Sequence, residues 1–84
     1  MRGQRLPDGT DWDSSWQPGS YSKFHGFLIV CTPNGEVGLL NPKIHTVTEH
    51  EDGTITVSPS ILIYPHHDGP GWHGFLERGV WRVC

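Results

Sequence analysis

Apolar residues first dominate the chain at residues 25–31, which read His-Gly-Phe-Leu-Ile-Val-Cys. A continuous apolar run of this length is typical of a central strand that is covered on both faces. Asn34-Gly35 follows, and this dipeptide is a strong hairpin signal because both residues tolerate positive φ. The pattern therefore predicts a hairpin whose second strand covers residues 36–40 and ends before Pro42.

The second half of the chain alternates between apolar and polar positions. Residues 54–58 place Ile55 and Val57 on one face and three hydroxyl groups on the other, as in a half-buried strand. Pro59 interrupts the pattern, and a proline inside a sheet lies at an edge or a bulge. The other predicted strands cover residues 44–49, 61–64, 72–76 and 80–83, with a loop at residues 65–71.

The spacing of apolar residues favours strands throughout. No segment has a helical period, and 11 glycines and seven prolines leave little room for a long helix. We therefore expect an all-β fold of about six or seven short, mostly antiparallel strands in a sandwich or partly open barrel. Residues 1–22 lack periodicity and are expected to form an irregular N-terminal arm, with the β domain at residues 23–84. At least one of the two arm tryptophans, Trp12 and Trp16, is expected to pack against the β domain or a neighbouring molecule.

One pentapeptide occurs twice with a single change. Residues 24–28 read Phe-His-Gly-Phe-Leu and residues 72–76 read Trp-His-Gly-Phe-Leu. Each copy alternates as a strand does, with a histidine on the sheet surface beside a glycine that leaves it room. The repeat predicts two similar strands, which either line one site or pair within the core.

Composition narrows the classes of function. The chain of 84 residues is expected to form one domain, and its six Lys and Arg residues are too scattered for a surface that binds duplex nucleic acid. The net charge is −3, and protonation of all six histidines would change its sign. The two cysteines, Cys31 and Cys84, are too few for a disulfide scaffold, although a bridge between them stays open. No signal peptide or apolar membrane span is evident, so a reducing cytoplasm is expected.

The polar residues include the types that form a zinc site or a hydrolytic site, but their spacing supports neither. His66, His67, His73 and Cys84 are the residue types that bind zinc, but they lack the spacing of a zinc motif, so no metal is expected. A hydrolytic set of His67 or His73 with Asp68 and Ser58 or Ser60 lacks any local signature of a nucleophile. The sequence therefore favours a protein that is not an enzyme.

Aromatic and histidine side chains remain as the candidate binding surface, because rings stack and imidazoles form hydrogen bonds with a ligand or a partner. The expected interacting set is His25, His66, His67, Trp72 and His73, with arm contacts from Trp12 and Trp16. The alternative is that these side chains pack internally in a small core.

Residues 52–62, which read Asp-Gly-Thr-Ile-Thr-Val-Ser-Pro-Ser-Ile-Leu, precede the second pentapeptide and a closing Gly79-Val80-Trp81. Across residues 24–84 the chain resembles a family of small proteins of tailed bacteriophages and prophages, a domain of unknown function. Members often carry a Cys-Pro-x-Cys-Gly element upstream, where this chain has a single cysteine, Cys31. The resemblance implies a phage origin and expression in the cytoplasm of a bacterial host, and the departure weakens the case for zinc.

The sequence thus predicts a non-enzymatic binding protein of phage type. Its partner would be a host factor, another phage protein or a small ligand, with neither duplex nucleic acid nor a membrane as target. Two alternatives stay open. One is a virion or assembly component that forms a homo-oligomer through the arm and the sheet edges, and the other is a small zinc-binding protein.

Overall fold

The computed structural model describes residues 1–84 and contains eight strands and no helix, so the all-β prediction is confirmed. The strands are β1 (Gln4–Arg5), β2 (Ser20–Phe24), β3 (Phe27–Cys31), β4 (Val37–Leu40), β5 (Thr46–Glu49), β6 (Ile55–Ile63), β7 (Trp72–Glu77) and β8 (Val80–Val83). Sequence reasoning missed β1 and β2, and it divided β6 into two strands.

The strands form two four-stranded sheets, each from one half of the chain. The first sheet has the order β1-β2-β3-β4 and the second the order β5-β6-β7-β8. All neighbours are antiparallel except β1 and β2, which are parallel. Each sheet is built from consecutive strands, most of them joined by short connections, while residues 6–19 and 64–71 form the longer connections from β1 to β2 and from β6 to β7.

The main core lies between the two sheets. Ten buried residues form one cluster: Tyr21, Leu28, Val30 and Leu40 from the first sheet, and Ile55, Val57, Ile61, Trp72, Leu76 and Trp81 from the second. They alternate with outward-facing positions along each strand, as the inner faces of a sandwich require. The fold is therefore a small sandwich in which two tryptophans supply much of the buried area.

The central strand β3 is buried on both faces, as the continuous apolar run predicted. Leu28 and Val30 face the main core, while Ile29 and Cys31 belong to a second cluster with Trp16 on the outer face of the first sheet. Leu6 and Phe24 pack against this second cluster. We call this outer surface the covered face, because the segment between β1 and β2 places Trp16 over it.

The strand β6 contains the bulge that Pro59 indicated. Val57 pairs with Leu76 and Ile61 with Gly74, so the register shifts between these two positions. The Ser58–Pro59 peptide bond is cis. The bulge allows Val57 and Ile61 to face the core on both sides of the proline.

The N-terminal segment is irregular between β1 and β2, and its two ends belong to the sheets. The predicted boundary at residue 22 falls inside β2. The Met1 carbonyl accepts a hydrogen bond from the Trp81 N–H at 2.7 Å, and Arg2 bridges to Val80. Gln4 then pairs with Ser20 of the first sheet. Residues 1–5 therefore connect the edges of both sheets.

The turn between β3 and β4 differs in detail from the prediction. Gly35 has a φ of 88°, whereas Asn34 is not among the residues with positive φ. The Thr32 N–H donates to the Glu36 carbonyl at 2.8 Å, so the hairpin closes around three residues instead of two.

The structure contains no helix that is long and apolar enough to cross a bilayer.

Candidate functional site

The two copies of the pentapeptide adopt different structures. In the first copy His25 and Gly26 have φ values of 48° and 83°, and they form the two-residue turn that joins β2 to β3. Phe24 and Phe27 pair across this turn. The second copy lies within β7 and is extended. The prediction of two similar strands is therefore wrong for the first copy, because its His-Gly pair supplies the positive φ values of a hairpin turn.

His25 lies at the tip of this turn and is exposed. Its ring makes an edge contact with Phe24, with centroids 4.2 Å apart. The β2–β3 turn lies at the opposite end of β3 from the β3–β4 turn, where His66 is anchored. The structure thus places His25 apart from the other predicted histidines.

His66 is held by a buried carboxylate. Its Nε2 lies 2.6 Å from Oε2 of Glu36, whose side chain is only 9% exposed. Asp68 donates its backbone N–H to Nδ1 of His66 at 3.3 Å. With Nδ1 as an acceptor, the hydrogen lies on Nε2, and this N–H donates a hydrogen bond to the Glu36 carboxylate. This contact ties the 65–71 loop to the β3–β4 turn, while His67 is exposed on the same loop.

The predicted tryptophans take part mainly in packing. Trp72 is buried in the main core and makes an edge contact with Trp81, with centroids 5.3 Å apart. Trp16 is buried on the covered face, so the expected docking of an arm tryptophan is observed. Trp12 is 39% exposed and makes an edge contact with Trp16, with ring centroids 5.5 Å apart.

His73 faces outward from the second sheet and is exposed. Its Nε2 lies 3.0 Å from Oγ of Ser60 on β6 and 3.7 Å from Sγ of Cys84. No carboxylate hydrogen-bonds to His73. The Ser60 and His73 pair thus lacks the third group that orients the base in a hydrolytic triad, and Asp68 lies next to His66 instead.

His73 belongs to an uncovered surface that we call the open face, the outer side of β6, β7 and β8. Leu62 is 46% exposed there, and Phe75 is half-buried beneath the Arg82 guanidinium, 4.6 Å from the ring centroid. The members of the open face are Ser60, Leu62, His73, Phe75, Arg82 and Cys84. Leu62 pairs with His73 and Phe75 with Arg82 across neighbouring strands, so the group is contiguous.

The four residues that could have bound zinc, had a metal been present, do not converge. His73 lies beside Cys84, His66 contacts Glu36, and no three His, Cys, Asp or Glu side chains are grouped so as to hold a metal ion. Cys31 and Cys84 are both free thiols, so no disulfide joins them in this structure. Burial raises the pKa of the Cys31 thiol, so this thiol is a poor nucleophile.

Sequence reasoning missed the charged residues at the first copy. Glu49 accepts hydrogen bonds from Lys23 at 2.6 Å and Arg5 at 3.0 Å, and these two contacts lower the pKa of its carboxyl. It also missed Leu62, Arg82 and the role of Phe75. No local pattern joins these positions, because they meet only through strand pairing.

Comparisons with known proteins find no matching family model, no matching curated protein and no matching solved structure.

Proposed function

We propose that the chain is a non-enzymatic binding protein that contacts a protein partner through the open face. The observation that carries this proposal is the difference between the two outer surfaces. In the first sheet Trp16 covers Ile29 and Cys31 of the central strand, whereas the second sheet leaves Leu62 and His73 exposed and Phe75 half-buried on its outer side. An uncovered apolar group rimmed by polar side chains is typical of an interaction surface.

The residue types also fit a binding surface. Aromatic and Arg side chains are enriched among residues that dominate binding energy, and here Phe75 and Arg82 already hold each other in place. A partner would therefore meet a preformed surface, with His73 and Ser60 as hydrogen-bonding groups. The phage origin and the bacterial cytoplasm implied by the resemblance remain part of this proposal.

Site-specific photo-cross-linking tests the open face. A photoreactive amino acid at position 75 should capture a partner in a bacterial host extract, whereas the same group at Ile44, which is 71% exposed, should not. Once the partner is purified, Phe75→Ser should weaken binding at least about tenfold, as expected for loss of a central aromatic contact. Equal capture at positions 75 and 44, or unchanged affinity of Phe75→Ser, would refute the proposal.

A second candidate, self-assembly through a sheet edge, is favoured by the composition of β4. This edge strand reads Val-Gly-Leu-Leu, and Val37 and Leu39 are 41% and 62% exposed. It has no charge or proline, the devices that usually block edge pairing. Light scattering at increasing concentration should then show oligomers that Leu39→Lys abolishes. A monomer at every concentration would rule this candidate out.

A further inference from the structure

A cavity of about 240 Å³ opens to solvent at the end of the sandwich that carries the β2–β3 turn. It lies beside the end of β4 and strand β5. Its walls come from both sheets, and its lining includes Lys23, Gly26, Leu28, Leu40, Val47 and Glu49. We call it the end cavity.

The interior of the end cavity is apolar. Leu28 and Leu40 are members of the main core, only 2% and 7% exposed, and Val47 packs against that core, so the apolar floor of the cavity adjoins the core. Apolar cavities of roughly 150 Å³ are large enough to take up benzene. The end cavity therefore accommodates one ring-sized apolar group together with a short substituent.

The rim of the end cavity offers hydrogen-bond donors. Both carboxylate oxygens of Glu49 are occupied, since Oε1 contacts Arg5 and Oε2 contacts Lys23. The Lys23 ammonium has three hydrogens, and Glu49 is its one acceptor in the structure. The unused capacity is therefore that of a cationic donor, which suits a carboxylate. Lys23 and Arg5 both pair with Glu49, and Arg5 also pairs with Asp8.

The entrance is unobstructed. Gly26 lies at the rim, and a Cβ atom built there would have no heavy atom within 4 Å. Its φ of 83° comes from the turn, so the glycine is required by the backbone and leaves the entrance clear as a consequence.

We propose that the end cavity is a binding site for a small carboxylate that carries one ring-sized apolar group. The ring occupies the gap between Leu28, Leu40 and Val47, and the carboxylate accepts hydrogen bonds from Lys23. This site is separate from the open face, which faces outward from the second sheet, and it does not depend on the proposed protein partner.

Titration with 3-phenylpropionate, followed by ¹H–¹⁵N NMR and calorimetry, tests the site. The expected result is saturable shifts of the Leu28, Leu40 and Val47 amides, with affinity about tenfold higher than for the neutral 3-phenylpropanamide, because a charge-assisted hydrogen bond is lost in the amide. Lys23→Met keeps the aliphatic stem and should remove this difference. An absence of saturable shifts in these residues would overturn the site, and equal affinity for acid and amide would overturn the assignment of Lys23.

Val47→Phe should fill the cavity and abolish binding, whereas Val83→Phe, an exposed position on β8, should leave it unchanged. If Val47→Phe does not fold, Gly26→Asn gives an independent test, because Asn tolerates positive φ and adds a side chain at the entrance. Retained binding in a folded Val47→Phe protein, or in Gly26→Asn where the first variant fails, would overturn the proposal.

Discussion

The two copies of the pentapeptide show how strongly the backbone conformation of nearly identical residues depends on their surroundings. At residues 24–28 the His-Gly pair turns the chain through positive φ values, and at residues 72–76 the same pair is extended within β7. The two glycines are needed for different reasons. Gly26 adopts a positive φ in a turn where a Cβ atom would have room. Gly74 is extended, but the Trp72 ring and the Arg82 carbonyl occupy the space where its Cβ would lie.

Gly74→Ala should be the more damaging of the two glycine substitutions. A Cβ at this position would clash with the Arg82 carbonyl oxygen and with Cη2 of Trp72. Since the oxygen belongs to the backbone of the paired strand, β7 and β8 must separate or Trp72 must leave its place. We expect a loss of about 3 kcal/mol in the free energy of unfolding, measured by urea denaturation. A loss below about 1 kcal/mol would show that the ring relaxes freely.

Gly26→Ala should cost less, about 1 kcal/mol, because the penalty is limited to placing an L-residue at positive φ. The same urea measurement applies, and the slope of the transition should stay unchanged, since no core contact is lost. If Gly26→Ala were as damaging as Gly74→Ala, the distinction between backbone freedom and steric space would be wrong.

The smallest expected difference between the copies is their response to acid. Next to the first copy, the hydrogen bonds from Lys23 and Arg5 lower the pKa of Glu49 below its ordinary value of 4.5. The unfolded chain therefore binds a proton more readily, so this contribution to stability is complete above about pH 4.5 and is lost as the pH falls through the folded-state pKa.

NMR spectra recorded as a function of pH, together with urea denaturation at several pH values, can measure this effect. In ¹H–¹⁵N spectra recorded below neutral pH, the Lys23 and Glu49 amides should shift with the titration of Glu49, while the Gly74 amide should not. Glu49→Gln should remove the inflection at Lys23 and flatten the dependence of stability on pH. Some slope should remain, because hydrogen bonds from Thr54 also lower the pKa of Asp52. Parallel shifts at Lys23 and Gly74 would contradict this local explanation.

The parts of the fold that the sequence predicted have strong local patterns. The apolar run in β3 indicated a strand buried on both faces, and Ile55 and Val57 indicated the inner face of β6. In β2, by contrast, Ser20 and Ser22 are 2% and 0% exposed, although serine is normally a surface residue. Their burial comes from the segment that carries Trp16, which no pattern within β2 reveals.

The candidate site was less accessible to sequence reasoning, because strand register decides which side chains meet. His73 lies beside Cys84 and Ser60 through the pairing of β7 with its two neighbours, while His66 is held by Glu36, 30 positions away. The second copy does alternate as a strand, with Trp72 and Leu76 buried and His73 exposed, but Trp72, which was expected in the interacting set, lies in the main core. The repeat itself gave no sign that its two histidines would lie in a turn and in a strand.

The attachment of residues 1–5 to both sheets has a consequence for the order of folding. The Trp81 N–H donates to the Met1 carbonyl at 2.7 Å, and the two residues are 80 positions apart. During synthesis residues 1–5 are made early, but their partner strand β8 is made after all of the other strands. We therefore expect the two sheets to become joined along this side late in folding, because this contact has the largest sequence separation in the fold.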